Sequence, residues 1–437
     1  MLMVGIGAFL ALLPAWMNYD IISRDGAFQY IPAARVFLEG NILQGFLRPQ
    51  LPLFPMIMAV VAKITGFDLE MSGRVVSYLA YILAAIGMFK VGEVVFKNRL
   101  ISLVAVLFLI TNRQYVDRSI DCLKESLLIC CIVWGNYFIL KGIGVIDKRI
   151  IYYILGVLTL IAGMLLRSTA LVFLCAWFAV WLFHKREGIF ARASILFIPV
   201  LVFLILWLFI PGASISWKSY HFNYFFVYIH SITDILKSAL NVLTGFFSTG
   251  NPLILLAGLF GLYYWEKDVY YFHSGLVIAV FFLILVPWPL VSNRYYLAPI
   301  IWIYPLAAFG IMKAFQSEAK LLKTLAVLTV LSSVVLWADI AFTPPDEDKL
   351  ARKEAGLWIL DRLGPDQVII SNRDRLVFYA QGTYKPLSKY KAGNDTKSVL
   401  AVDTKYEEGR IIVEEAHSRG VDPDKQFRSI SIYLPKS

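Results

Sequence analysis

The sequence predicts a mainly α-helical, polytopic membrane protein with a small α/β domain at its C-terminal end. Three observations carry this prediction. Of 437 residues, 59% are hydrophobic and 16% charged, whereas a soluble domain has roughly 45–50% apolar and about 25% charged residues. The mean hydropathy is +0.67. Apolar runs recur up to about residue 342, and the composition then turns polar at "FTPPDEDKLARKEAG". The predicted divisions are a transmembrane part, 1–342, and a tail, 343–437.

A span needs about 20 mainly apolar residues. The candidates are 1–18, 74–95, 100–112, 125–140, 150–166, 169–183, 194–210, 251–265, 274–290, 295–312 and 323–342, about eleven transmembrane helices. The first run lacks a basic leader region and an A-x-A cleavage site, so it is expected to be a retained span. The segment 51–66, "LPLFPMIMAVVAKITG", opens with prolines and is interrupted by Lys63, which suits a semi-embedded helix. Basic residues occupy the short turns 96–99, 147–149, 184–192 and 313–323. The positive-inside rule makes that side cytoplasmic. The long loops 18–73 and 211–250, the cluster 113–125 and the tail then face outward, which in a bacterium is the periplasmic side of the inner membrane.

The net charge of +10 is spread over short loops; a nucleic-acid-binding protein would cluster it in a soluble domain. The basic residues read instead as orientation signals and contacts to membrane lipids. The four cysteines and five histidines show no metal-ligand spacing and no disulfide framework.

In the tail, Leu350, Leu357, Leu360 and Leu363 have helical spacing, with Gly364-Pro365 as a stop. "QVIIS", "SVLAVD" and "RSISIYL" read as strands, and "EEGRIIVEEAHSRG" as a helix. No Gly-rich phosphate loop and no nucleophile–base pair is visible there.

The residues that could carry chemistry lie at the edges of the apolar runs. In "YDIISRDGAFQYIPAARVFLEGN", Asp20, Arg24 and Asp25 follow the first run. Ala27, Tyr30, Ile31, Ala34, Phe37 and Leu38 then mark one helix face, consistent with an amphipathic helix lying on the membrane surface. Pro32 places its first turn near Tyr30, and Gly40-Asn41 stops it. Asp25 is either a solvated cap or a working carboxylate. Arg48 precedes Pro49, Pro52 and Pro55, a stretch that is either a loop or a rigid lid with a cation for a phosphate. In 111–128, Asp117, Asp121 and Glu125 follow at i,i+4 and are expected to stack on one helix face, with Arg118 and Lys124 beside it. Lys124 and Glu125 run into an apolar stretch, where charge is costly and usually functional. Arg167 lies between two spans almost without a loop and needs an anion, a partner or a cavity. Arg294, Tyr295 and Tyr296 open a late span as a basic aromatic anchor. The aromatic stretch 217–230 suits an interface or a groove.

The order of these pieces resembles the GT-C superfamily of integral membrane glycosyltransferases, and within it the bacterial relatives of dolichyl-phosphate-mannose protein mannosyltransferases and the lipid A aminoarabinose transferase. "RDGAFQYIPAARVFLEGN" is similar to the acidic motif and following helix of that branch, and Pro52-Leu53-Phe54-Pro55 to its proline motif. "YVDRSIDCLKESLLI", "RYYLAPIIWIYPLAAFG" and "EAGLWILDRLGPDQVIIS" resemble later segments in the same order. The resemblance implies sugar transfer, inverting at the anomeric carbon, from a polyprenyl-phosphate donor to a lipid, glycan or protein acceptor. It implies Asp25 as the catalytic carboxylate, with Asp20 or Asp121 as possible second carboxylates. It leaves the donor phosphate to Arg48, Arg118, Lys124, Arg167 and Arg294, with Arg24, Glu125 and Tyr295 as further site candidates. Gly26 stands where the branch has a second acid, so no obligatory metal is expected, although a divalent ion is compatible with the motif. A transporter or flippase of lipid-linked sugars would use a similar inventory, but with ionisable groups near the bilayer midplane.

Overall fold

The structure is a computed structural model of the chain and describes residues 1–48, 51–144, 149–184, 232–265, 269–286, 292–387, 398–418 and 423–434. They form two compact units: Met1–Met17 with Tyr30–Thr343, and Asn18–Gln29 with Pro344–Ser437. The acidic loop 18–29, read in the sequence with the spans, thus groups with the tail.

The first unit is helical. Its helices are α1 (Leu2–Met17), α2 (Ile31–Leu38), α3 (Ile42–Phe46), α4 (Leu53–Thr65), α5 (Leu69–Phe96), α6 (Arg99–Ile110), α7 (Arg113–Ser119), α8 (Glu125–Gly144), α9 (Arg149–Met164), α10 (Ala170–His184), α11 (Ile232–Gly250), α12 (Pro252–Tyr264), α13 (Val269–Leu285), α14 (Leu297–Gln316) and α15 (Lys320–Phe342). Among the described residues, four are long and apolar enough to cross a membrane: Leu69–Phe96, Glu125–Ile143, Leu297–Gln316 and the helix opening at Lys320. Two pairs bent by 64° and 101°, α6 with α7 and α11 with α12, bring the number to six if each pair is one span. Leu2–Met17, Leu53–Thr65, Ile150–Met164, Ala170–Val180 and Val269–Leu285 are shorter apolar helices. The candidate span 194–210 and the aromatic stretch 217–230 lie outside the described residues.

Polar caps set the starts. Asp68 accepts from Met71 N at 2.7 Å to open α5, and Asn98 from Leu100 N at 2.9 Å to open α6. Asn112 accepts from Tyr115 N at 2.8 Å to open α7, while its amide donates to Tyr304 Oη (2.7 Å) and Thr249 O (2.9 Å). One side chain thereby ties the bend between α6 and α7 to α14 and the end of α11. Helices α12 and α14 meet backbone to backbone. A Cβ at Gly261 would collide with Leu306 O, and one at Gly310 with Ala257 O. Small residues at such crossings let membrane helices approach closely.

Two expectations are corrected. Asp117, Asp121 and Glu125 do not stack on one helix, because α7 ends at Ser119 and α8 begins at Glu125. At the break, Ile120 O accepts from Arg74 Nε at 3.0 Å instead of continuing a helix ladder. The loop assigned to 211–250 contains the 19-residue helix α11. This helix exposes Leu236 and Leu240 and buries Val242 and Phe246, a two-faced pattern overlooked between the longer apolar runs.

The second unit is an α/β layer: α16 (Glu347–Leu363), β1 (Val368–Ser371), α17 (Asp374–Tyr379), β2 (Thr383–Pro386), β3 (Val399–Asp403), α18 (Glu407–Ser418), β4 (Lys425–Phe427) and β5 (Ile430–Tyr433). The sheet order is β2-β1-β3-β5-β4. β1 runs parallel to β2 and β3, and β5 antiparallel to β3 and β4. Strand alternation sends Ile369, Val399, Ala401 and Ile432 to a core with Ala355 and Ile359 of α16. Ile370, Leu400, Val402 and Tyr433 face Ile412 and Val413 of α18. The expected helices and three strands are present; α17, β2 and β4 were not anticipated.

Candidate functional site

The sequence-selected residues fall into a set in each unit. In the second unit, Asp25 precedes a π-helical turn, Gly26–Tyr30, at whose entry Ser23 O accepts from Ala27 N at 3.0 Å. Asp25 is half-buried, and its Oδ1 accepts from Gln29 Nε2 at 2.9 Å, one turn on. Its acidic and basic neighbours are committed to the tail. Asp20 Oδ2 pairs with Lys349 Nζ at 2.8 Å, and Arg24 Nε with Asp374 Oδ2 at 2.9 Å. Asp20, expected as a possible second carboxylate, and Arg24, expected as a site candidate, thus each hold an ion pair that fastens the loop. This donor set also suits a metal poorly: Asp20 is engaged by a cation and residue 26 is glycine. Among the described residues no three His, Cys, Asp or Glu side chains gather.

In the helical unit, residues far apart in sequence converge at helix breaks. α9 ends at Met164 and α10 begins at Ala170, and in the turn Arg167 N donates to Gly163 O at 2.9 Å. Arg167 Nη2 lies 3.2 Å from Glu125 Oε1, the first residue of α8, and the two side chains are 8% and 2% exposed. Arg167 Nη1 donates to Arg294 O at 3.3 Å. The Tyr295 ring has the Arg167 guanidinium 4.4 Å from its centre and that of Arg294 at 5.6 Å. Four predicted site residues thus form one cluster, drawn from the start of α8, the turn between α9 and α10 and the segment ahead of α14. Arg167, assigned in the sequence to a phosphate, has a protein carboxylate as its partner.

A second convergence joins three motifs: Lys124 Nζ lies 5.7 Å from the Tyr30 ring centre, and Tyr30 meets Phe54 of the proline motif edge-on at 5.3 Å. Arg118 Nε is 3.6 Å from Asp117 Oδ2, Arg113 pairs with Asp339 at 3.3 Å, and Asp121 Oδ1 accepts from Cys122 N at 2.6 Å. Arg48 is half-buried at the end of α3 and makes no ion pair among the described residues. Sequence reasoning missed Arg74. Its guanidinium lies 4.1 Å over Trp16 and donates to Trp16 O and Ile120 O, both at 3.0 Å. The available signal was a cation opening the apolar run 74–95.

A helical body of apolar spans with charged breaks, joined to a small α/β unit, is the architecture of a polytopic membrane protein, and both its sequence and its fold have matches among known proteins. Residues 48–215, less than half of the chain, match the family described as dolichyl-phosphate-mannose-protein mannosyltransferase. No curated protein matches. The fold is similar to ArnT from Cupriavidus metallidurans in the apo state, with TM-score 0.61 and 12% identity over 98% of this chain and 97% of that one. ArnT has also been solved bound to undecaprenyl phosphate, with 10% identity to this chain. The Archaeoglobus fulgidus oligosaccharyltransferase in complex with Zn and sulfate is similar over 96% of this chain and 70% of that one, with TM-score 0.64 and 12% identity. The arabinofuranosyltransferase AftD from Mycobacteria is similar over 99% of this chain and 40% of its own, with TM-score 0.60 and 12% identity.

Proposed function

We propose that this protein transfers a hexosyl or pentosyl group from a polyprenyl-phosphate donor to a lipid, glycan or protein acceptor at the periplasmic face of the inner membrane. The observation that carries the reading is the meeting of Glu125, Arg167, Arg294 and Tyr295 where α8 starts, α9 turns into α10 and α14 is about to begin. It supplies a cationic, aromatic surface of the kind that holds a phosphate against a membrane. Arg167, neutralised by Glu125, holds the cluster together. Arg294, with Arg48, Arg118 and Lys124, takes the donor phosphate.

Asp25 acts as the general base. It removes the proton of the acceptor hydroxyl as that oxygen attacks the anomeric carbon from the face opposite the phosphate. The bond from that carbon to the phosphate oxygen breaks, its electrons pass to the phosphate, and the configuration inverts. Phosphate is a good leaving group, so no general acid is required. The largest contribution is stabilisation of the departing charge by the fixed cations.

The test is reconstitution in liposomes with a panel of radiolabelled hexosyl- and pentosyl-phosphoundecaprenols. Covalent transfer of label to an acceptor, lost in Asp25→Asn, supports the enzyme. Movement of a donor across the bilayer with no transfer would make the protein a transporter.

A further inference from the structure

The acidic loop belongs to the same compact unit as the tail, and it is fastened there on both sides of Asp25. Before Asp25, Ile22 is fully buried, and its backbone N–H donates to Tyr379 Oη at 3.2 Å. Asp20 pairs with Lys349 at 2.8 Å and also accepts from Asp346 N at 3.4 Å. Asp346 in turn caps α16, accepting from Asp348 N at 3.0 Å and Lys349 N at 3.3 Å. Arg24 reaches Asp374 at 2.9 Å. After Asp25, Phe28 meets Phe378 edge-on at 6.2 Å. Three of these anchors, Asp374, Phe378 and Tyr379, belong to the single short helix α17. That helix is itself fixed by Gly356 of α16, where a Cβ would collide with Leu376 O.

The contacts are unequal. Arg24 is 80% exposed, and exposed ion pairs contribute little. The buried backbone bond at Ile22 and the half-buried Asp20–Lys349 pair carry more weight, because a buried N–H left unpaired is costly.

We infer that the C-terminal unit is a positioning device for the acidic loop, with Lys349 and Tyr379 as the residues that set the place of Asp25. This rests on the reading of Asp25 as the general base. A base must sit within hydrogen-bond reach of the proton it takes, and small misplacements cost rate steeply. Neither Lys349 nor Tyr379 is assigned to substrate, so their loss acts on turnover and leaves donor binding alone.

The experiment uses the full-length protein in nanodiscs and the Lys349→Met, Tyr379→Phe and Lys349→Arg variants. Amide hydrogen exchange of the peptide covering 18–29 is read beside kcat and the KM for the donor that supports transfer. Lys349→Met and Tyr379→Phe are expected to speed exchange about tenfold and lower kcat about tenfold, leaving donor KM within about twofold. Lys349→Arg keeps the ion pair and is expected to retain both values. Faster exchange with unchanged kcat overturns the proposal, as does a lower kcat with unchanged exchange or a change confined to KM. Failure of the base reading is separate: it appears as full transfer by Asp25→Asn, whatever the exchange data show.

Discussion

Glu125 and Arg167 form a buried ion pair, 3.2 Å apart and 42 residues apart in the chain, with side chains 2% and 8% exposed. Among the described residues, Glu125 Oε2 accepts no hydrogen bond. Removing the acid strands the guanidinium. Glu125→Gln is expected to destabilise the protein by about 3–5 kcal/mol, whereas Glu125→Leu with Arg167→Met recovers most of the loss. Thermal unfolding of the detergent-solubilised variants checks this.

Asp25→Asn keeps the size of the side chain and its capacity to accept from Gln29. It is expected to lower kcat by about 10²–10⁴-fold with unchanged melting temperature, as for loss of a general base. A melting shift as large as that of Glu125→Gln would mark Asp25 as structural instead.

In the tail, Asp403 is 1% exposed and receives Arg352 Nε at 3.2 Å and Arg373 Nε at 3.1 Å on one oxygen, with Ser429 Oγ at 2.9 Å on the other. Asp403→Ala leaves two guanidiniums facing each other. A loss of about 3–5 kcal/mol is expected, seen as faster limited proteolysis of residues 344–434 in the intact protein.

The pH response of the tail has a definite sign. A hydrogen bond from Lys405 lowers the Asp348 pKa below its ordinary 3.8, and the same bond raises that of Lys405 above 10.5. The stabilisation is complete above the ordinary carboxylate value and fades as pH falls through the depressed one. At the alkaline end it is complete below the ordinary lysine value and is lost as pH rises through the raised one. Asp348→Asn should therefore flatten both limbs of a stability–pH profile. Lys405 is exposed and Asp348 only half-buried, so the effect is small.

Gly310→Ala places a methyl group against the Ala257 carbonyl across the α12–α14 crossing. Neither backbone can give way locally, so the helices must separate. Reduced yield of monodisperse protein and a lower melting temperature are expected, with Gly275→Ala, which meets nothing within 4 Å, as the neutral control.

The apolar helices were legible because long apolar runs have few alternatives, but among the described residues only four, or six with the bent pairs, have the length and composition of a span; the tail helices and central strands were legible because their alternation and stops are local. Helix α17 escaped because it is only six residues long, and β2 and β4 because they are short strands without a buried residue. The carboxylate ladder of 117, 121 and 125 failed because Arg74, 46 residues from Ile120, captures a carbonyl at the break. In the site, residue types were legible but partnerships were not. Nothing linear announces that Arg167 belongs to Glu125, or that Asp20 belongs to Lys349 across 329 positions.

The bond between Ile22 and Tyr379 spans 357 residues, and this sets a schedule for biosynthesis. At about 5–20 residues per second, roughly 20–70 seconds separate the synthesis of the two partners. The first spans can enter the membrane in that interval, but the acidic loop between them has nothing to fold against. Long-range pairing of this kind is slow to form, so the loop that carries Asp25 is among the last parts of the nascent protein to mature.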